Sequence, residues 1–261
     1  MPQNYLKKTC ALRVLVLLVF LGASIPGFSQ EYEDITGVEE KGILYNRINH
    51  FGFMLHTHGV GINYRHGKNL SGYSYLLGDF QLLSMRHPKE VKSINPFSDN
   101  NSGFIYGKLN SVNILRSGIG KQKTINSKGD KGGVEISLSG YAGASWAFVK
   151  PVYLTIFEIS DQFGVDEVVA KYDPDIHYPD NISGRASALK GLDQLRIHPG
   201  LYGSFLINLE FGKEQTRLKM VETGATLDVF AKPIPMMAFA PKSNYFFNFF
   251  IRVLLGKKWN K

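Results

Sequence analysis

His56 and His58 flank Thr57, and this pair is the first place where residue type and spacing point to chemistry. On an extended strand residues i and i+2 face the same way, so two imidazoles at this spacing would hold a metal ion or activate a hydroxyl. His198 is a third candidate of the same kind. A second cluster is the oxygen-rich run Asp173-Pro174-Asp175-Ile176-His177-Tyr178-Pro179-Asp180, in which Asp173, Asp175, His177 and Asp180 would ligate a divalent cation. That run lacks the glycine turn of a known calcium loop and carries two prolines, so it reads first as a rigid exposed loop and only second as a cation site. No metal site or cofactor is assigned. No glycine-rich phosphate loop, nucleophile elbow or zinc-protease helix is present.

The elements that must carry these residues are strands. Several stretches alternate in polarity with period two, which sorts side chains onto opposite faces. Val134, Ile136, Leu138, Ala142 and Trp146 oppose Glu135, Ser137, Ser139, Tyr141 and Ser145. Val221, Thr223, Ala225, Leu227, Val229 and Ala231 oppose Glu222, Gly224, Thr226, Asp228, Phe230 and Lys232; Leu201, Gly203, Phe205, Ile207, Leu209 and Phe211 oppose Tyr202, Ser204, Leu206, Asn208 and Glu210; Tyr245, Phe247, Phe249, Ile251, Val253 and Leu255 oppose Phe246, Asn248, Phe250, Arg252 and Leu254. With 51–65, 72–86, 103–116 and 150–159, eight stretches of this kind are expected. They are longer than the ~5–6 residues usual in globular strands and reach the ~9–11 that a tilted strand needs to cross a bilayer.

An even number of long strands with aromatic ends (Tyr245, Phe246 and Phe247 at one end of the last, Trp259 at the other) predicts an all-β fold. The expected form is an antiparallel up-and-down transmembrane β-barrel of about eight strands. A ten-strand version, with a further pair inside 160–199, fits the same pattern. With both termini on the periplasmic side, 66–71, 117–133, 160–199 and 233–243 are expected as outer connections, and 87–102, 148–150 and 212–216 as periplasmic ones. Within the long outer loop 160–199, Ala186, Leu189, Leu192 and Leu195 stand at helical spacing and predict a short helix over 185–196. A soluble sandwich or lipocalin-like barrel, with every face inverted, shows the same alternation.

Composition bounds the rest. The first 29 residues carry Lys7, Lys8 and Arg13, an apolar stretch from Val14 to Ile25, and small residues before Gln30, the three parts of a Sec-type secretory signal cleaved near Ser29. A lead-in, 30–49, precedes a barrel domain over 50–261. The only cysteine, Cys10, falls inside the signal, so the mature chain has no disulfide and no Cys-type zinc site. Loss of the signal's three bases takes 30 Lys+Arg to 27 against 22 Asp+Glu, so +8 becomes +5. No basic block interleaves with aromatics, which argues against nucleic acid as a partner.

If the apolar faces meet lipid, the opposite faces define the lumen and place there Asp79, Lys108, Glu135, Glu210, Glu222, Asp228 and Arg252. An eight-stranded interior is just wide enough for side chains to fill. These charges are then either a salt-bridged plug or the lining of a narrow pore, whose five acids against two bases would favour cations.

The segment 191–202 (Gly-Leu-Asp-Gln-Leu-Arg-Ile-His-Pro-Gly-Leu-Tyr), the strand end Asn208-Leu209-Glu210-Phe211 and the C-terminal Leu254-Leu255-Gly256-Lys257-Lys258-Trp259 resemble segments of small, largely uncharacterised outer-membrane β-barrel proteins of Bacteroidota. The resemblance implies the outer membrane of a Gram-negative bacterium and supplies no catalytic residue. The expected function is a non-enzymatic outer-membrane barrel, a structural or accessory subunit of an envelope complex. It would contact outer-membrane lipid through its wall and a partner protein of the envelope through 160–199. A narrow transport channel is the first alternative. A lipid-modifying enzyme using His56, His58 or His198 is the second, although no serine stands two positions from His56 or His58, as the His/Ser/acid machinery of lipid A deacylases would suggest.

Overall fold

The computed structural model describes residues 45–98, 102–127, 133–159, 164–211 and 216–260. The signal expected over 1–29 and most of the lead-in expected over 30–49 lie outside these residues. Among the described residues the strands are β1 (Arg47–His56), β2 (Gly59–Ser71), β3 (Ser74–Met85), β4 (Lys92–Ser93), β5 (Phe104–Ile105), β6 (Asn110–Asn126), β7 (Glu135–Pro151), β8 (Tyr153–Ile159), β9 (Val165–Lys171), β10 (Ile182–Arg185), β11 (Arg196–Phe211), β12 (Arg217–Ile234) and β13 (Ser243–Trp259). Eight of them close into one barrel in the order β1-β2-β3-β6-β7-β11-β12-β13. Each pairs antiparallel with its chain neighbours in the wall, and β13 returns to β1 with Trp259 opposite Arg47 and Phe250 opposite His56.

The period-two pattern resolves the two faces. In β13 Phe247, Phe249, Ile251, Val253 and Leu255 are exposed on the outside, while Asn248, Phe250, Arg252 and Leu254 are buried within. β11 and β12 repeat this with Leu201, Phe205, Ile207, Leu227 and Val229 outside and Tyr202, Asn208, Glu222 and Asp228 inside. The barrel is thus apolar on its outer wall and mixed within, the reverse of a lipocalin-like barrel.

The count of eight holds, but two of its members change. Residues 51–65 are not one strand: β1 and β2 form a hairpin across a two-residue turn, Thr57-His58, with His56 opposite Gly59. A side chain at Gly59 would place its Cβ 2.1 Å from the carbonyl oxygen of Ser84, at φ +151°. Glycine is required where the hairpin bends against β3. Outward residues are odd-numbered in β1 (Phe51, Phe53, Leu55) and even-numbered in β2 (Val60, Ile62, Tyr64), and this switch of parity marks the turn. Conversely, 150–159 is not a wall strand. β7 ends at Pro151, and β8 leaves the barrel to form a three-stranded sheet in the order β10-β8-β9. The pair inside 160–199 therefore exists as strands but does not enlarge the barrel.

This shift reverses the sidedness expected for 66–71, 87–102 and 117–133, and 148–150, expected as a periplasmic turn, lies within β7 at the end away from the termini. Among the strands of the described residues, the end bearing Arg47 and Trp259 has the connections 72–73, 127–134 and 212–216. The opposite end, called here the loop end, carries the Thr57-His58 turn, 86–109, 152–195 and 235–242. The longer connections thus gather away from the termini, the asymmetry of outer-membrane barrels. The expected helix over 185–196 does not form. That stretch contains the end of β10 and a single 3-10 turn, Leu192–Gln194, entered through Gly191 at φ 83°. A stripe of leucines without an N-cap side chain does not nucleate a helix.

Over the loop end, Phe104, Leu154, Ile156, Tyr172 and Ile182 form a second small core. It ties 86–109 to 152–195: the Asn95 side-chain amide donates to the Ile182 carbonyl at 2.8 Å, and the Arg185 N–H donates to the Ser102 carbonyl at 3.2 Å. The same connection is anchored to 235–242 by Leu109 N–H to Met236 O at 3.0 Å and Ala238 N–H to Gly107 O at 2.8 Å.

Candidate functional site

Barrel register brings inward side chains into contact layer by layer. Arg65 lies directly opposite Asp79, Arg116 opposite both Gln81 and Ser145, Tyr202 opposite Asp228, and Glu222 opposite Arg252. These direct partners are then cross-linked over the lumen. Arg65 donates to Asp79 at 2.7 Å through Nε and to Glu222 at 2.5 Å through Nη1. Arg252 donates from Nη1 to the other Glu222 oxygen at 3.1 Å and lies 3.2 Å from Met54 Sδ. Arg116 grips Asp228 with Nε at 2.8 Å and Nη2 at 2.5 Å, and donates to Gln81 Oε1 at 2.9 Å. Gln81 donates onward to Asp79, Tyr202 donates to Asp79 at 3.1 Å, and Ser145 donates to Asp228 at 3.1 Å. Guanidinium faces are covered by aromatic rings: Arg65 lies 4.2 Å from the Tyr141 centroid and Arg252 4.8 Å from that of Phe250.

Every barrel strand contributes to this cluster. Arg65, Asp79 and Glu222 have side chains with no solvent exposure at all. Buried charges cost several kcal/mol each unless paired and hydrogen-bonded, and here three guanidinium groups meet three carboxylates. The charges balance, unlike the five acids and two bases counted along the sequence. Above the network, toward the loop end, Leu83, Met85, Val112, Ile114, Val149, Phe230, Ile234 and Met236 fill the lumen. Below it are Ile48, Leu77, Leu206, Leu218, Met220 and Leu254. Among the described residues, the polar layer is packed between these two apolar layers.

Of the seven charges expected in the lumen, Asp79, Glu222, Asp228 and Arg252 form the network. Glu210 is inward but lower, and takes Lys258 Nζ on both oxygens at 2.8 Å. Glu135 opens β7 near the terminal end and accepts from Thr124 at 3.1 Å. Lys108 is not on a wall strand. It lies in the 86–109 connection and pairs with Glu90 at 2.6 Å. Arg65, Arg116 and Lys258 were not expected there. Arg65 lies in the second arm of the hairpin and shares its inward parity with Gly61 and Asn63, which differs from that of β1. Arg116 shares its face with apolar Val112 and Ile114, which masks the alternation.

The histidine pair does not share a strand face: His56 ends β1, opposite Gly59 and Phe250, and His58 lies in the turn that follows. His58 Nδ1 is 2.6 Å from Asn248 Oδ1, and the His58 backbone N–H donates to His56 Nδ1 at 3.3 Å. The two rings therefore serve the turn. His198 lies in β11 opposite Ala147. The 173–180 run also satisfies itself. The Asp173 N–H donates to His177 Nδ1 at 2.9 Å, the Asp175 N–H donates to Asp173 Oδ1 at 3.0 Å, and the Tyr178 hydroxyl donates to the Asp175 carbonyl at 3.1 Å. His177 is buried beside Tyr172, while Asp175 and Asp180 point to solvent. Among the described residues no group of three His, Cys, Asp or Glu side chains converges as a metal site would require.

No protein-family model and no curated protein matches this chain. Among solved structures it is similar to Ail, the attachment invasion locus protein of Yersinia pestis, at 8% identity over 82% of this chain and 99% of that one, with a TM-score of 0.42. It is also similar to Neisserial surface protein A, at 8% identity over 82% and 97% with a TM-score of 0.41. A third likeness is to the outer membrane protein OprG from Pseudomonas aeruginosa, at 8% identity over 85% and 99% with a TM-score of 0.35. At such identities the likeness is one of fold alone.

Proposed function

We propose that the protein is a non-enzymatic barrel of the outer membrane of a Gram-negative bacterium and works as an accessory subunit of an envelope complex. Its first 29 residues would direct export and be removed near Ser29. The wall supports the membrane reading: Phe51, Phe53, Phe80, Phe205, Phe249 and Leu255 are each half-exposed or more on its outer surface. A continuous apolar surface of this kind is stable against lipid and a liability in water. The resemblance of 191–202, 208–211 and 254–259 to outer-membrane barrels of Bacteroidota points the same way.

The observation that carries the accessory role is the contrast between the lumen and the loop end. The lumen is closed by the Arg65–Asp79–Glu222–Arg252 and Arg116–Asp228 pairs. The loop end instead supports an ordered platform with its own core, whose outermost strand, β9, is unpaired on one side within the described residues and exposes Val165, Val168 and Val169. An open strand edge with exposed valines suits addition of an extended segment of a partner protein.

The full chain reconstituted in planar bilayers is expected to pass no stepwise current, while its unboiled form migrates faster than the boiled form on gels. Single-channel steps from a protein with that heat-modifiable migration would overturn the sealed lumen and favour a transport channel. A chain found in the soluble periplasmic fraction without the shift would overturn the membrane reading.

A further inference from the structure

At the loop end a cavity of about 230 Å³ lies between the Thr57-His58 turn, the exit of β3 and the β12–β13 connection. Its floor is the top of the lumen packing, Ile234, Met236 and Met237, all buried. One side of its lining is polar, with His58, Arg86 and His87. The Arg86 backbone N–H donates to the His58 carbonyl at 2.6 Å, which fixes the two segments side by side. The Arg86 side chain is exposed and has no acidic partner among the described residues. Burial and the nearby Lys89 lower the His87 pKa, and the Arg86 guanidinium keeps its proton throughout the physiological range. Tyr245 and Phe247 also line the cavity, and both are outward residues of β13. The cavity is therefore continuous with the apolar wall.

An apolar floor, one fixed cation at the mouth and an opening onto the lipid-facing surface together define an amphiphile of one negative charge. The volume is below the ~300–1,000 Å³ of ordinary small-molecule sites, which suits a segment of one alkyl chain and excludes a two-chain lipid. A planar guanidinium matches a carboxylate through two parallel hydrogen bonds. We propose that this rim cavity binds a single-chain fatty carboxylate, which enters from the outer leaflet with its carboxylate toward Arg86 and its chain against Met236 and Met237. The proposal rests on the wall being lipid-facing and is independent of any partner protein.

The test uses the full chain in nanodiscs of zwitterionic lipid, with folding checked by heat-modifiable migration. The probe is a fatty acid bearing a diazirine on its chain. Irradiation is expected to place adducts on 234–247 and 86–88, and decanoate should compete where decanol does not. Arg86→Gln, an exposed position that leaves the fold intact, should reduce labelling of these segments by about tenfold. Met236→Trp, which fills the cavity, should abolish it. Three results overturn the proposal: adducts spread evenly around the wall, decanol competing as well as decanoate, or Arg86→Gln labelling like the parent. If Met236→Trp loses heat-modifiability, Arg86→Gln and the decanol comparison still decide. A parent chain that fails to fold in the discs would instead count against the membrane reading.

Discussion

Arg65 joins Asp79 to Glu222, and Glu222 is in turn held by Arg252. Removing a guanidinium from such a chain strands carboxylates that have already lost their water. Arg65→Met is therefore expected to destabilise the barrel by about 3–5 kcal/mol, seen as a lower urea midpoint in detergent micelles. The double variant Arg65→Met/Glu222→Leu should cost less than the two single changes added together, because each removes the other's stranded charge. An Arg65→Met midpoint equal to the parent's would show that the pair is not buried. The same reasoning separates the histidines from chemistry. His58 is committed to Asn248 and His177 to the backbone of its own loop, so His56→Ala and His58→Ala should leave the lipid A mass spectrum of the host unchanged.

At the scale of elements, glycines show which face of a strand is crowded. A Cβ at Gly118, on the inner face of β6, would lie 2.5 Å from the Ala142 carbonyl oxygen and 2.6 Å from the Tyr202 hydroxyl. At Gly203, on the outer face of β11, it would meet nothing within 4 Å. Gly118→Ala should thus cost about 1–3 kcal/mol through overpacking, while Gly203→Ala should be near neutral. Thermal loss of heat-modifiable migration would rank the two, and equal midpoints would contradict the inner and outer assignment. The turn between β1 and β2 was hard to read because neither Thr57 nor His58 is a usual hairpin residue, and both arms carry alternating apolar side chains. Strands β7, β11, β12 and β13 are legible because polar inward residues (Ser137, Asn208, Glu222, Arg252) interrupt them at period two while their outward neighbours are mostly apolar.

For the molecule as a whole, the ends behave differently. The terminal end carries short connections, whereas the loop end carries a folded platform built from 86–109 and 152–195. Protease added to intact cells is expected to cut first within 152–195 and to leave the wall strands protected; cleavage at 72–73 or 212–216 alone would mean the opposite orientation. The seal also predicts that salt has little effect on stability, since charges packed within the lumen are screened far less than surface pairs.

Alternation of side chains was enough to establish long strands, an all-β barrel and the face on which most residues lie, because period two is a local property of extended backbone. It set Glu222 and Asp228 on one face of β12 and Arg252 on the face opposite Phe249, Ile251 and Val253, and it reached eight strands because taking the β1–β2 hairpin as one strand and counting 150–159 as another offset each other. Which face is the interior had to come from the closed barrel, since alternation is unchanged when inside and outside are exchanged. Partnership was likewise beyond reach: Arg65 and Glu222 stand 157 positions apart and meet only because the wall curves both strands around one lumen. The platform and the rim cavity are products of connections that lack any period, and their form depends on what the barrel end offers them to pack against.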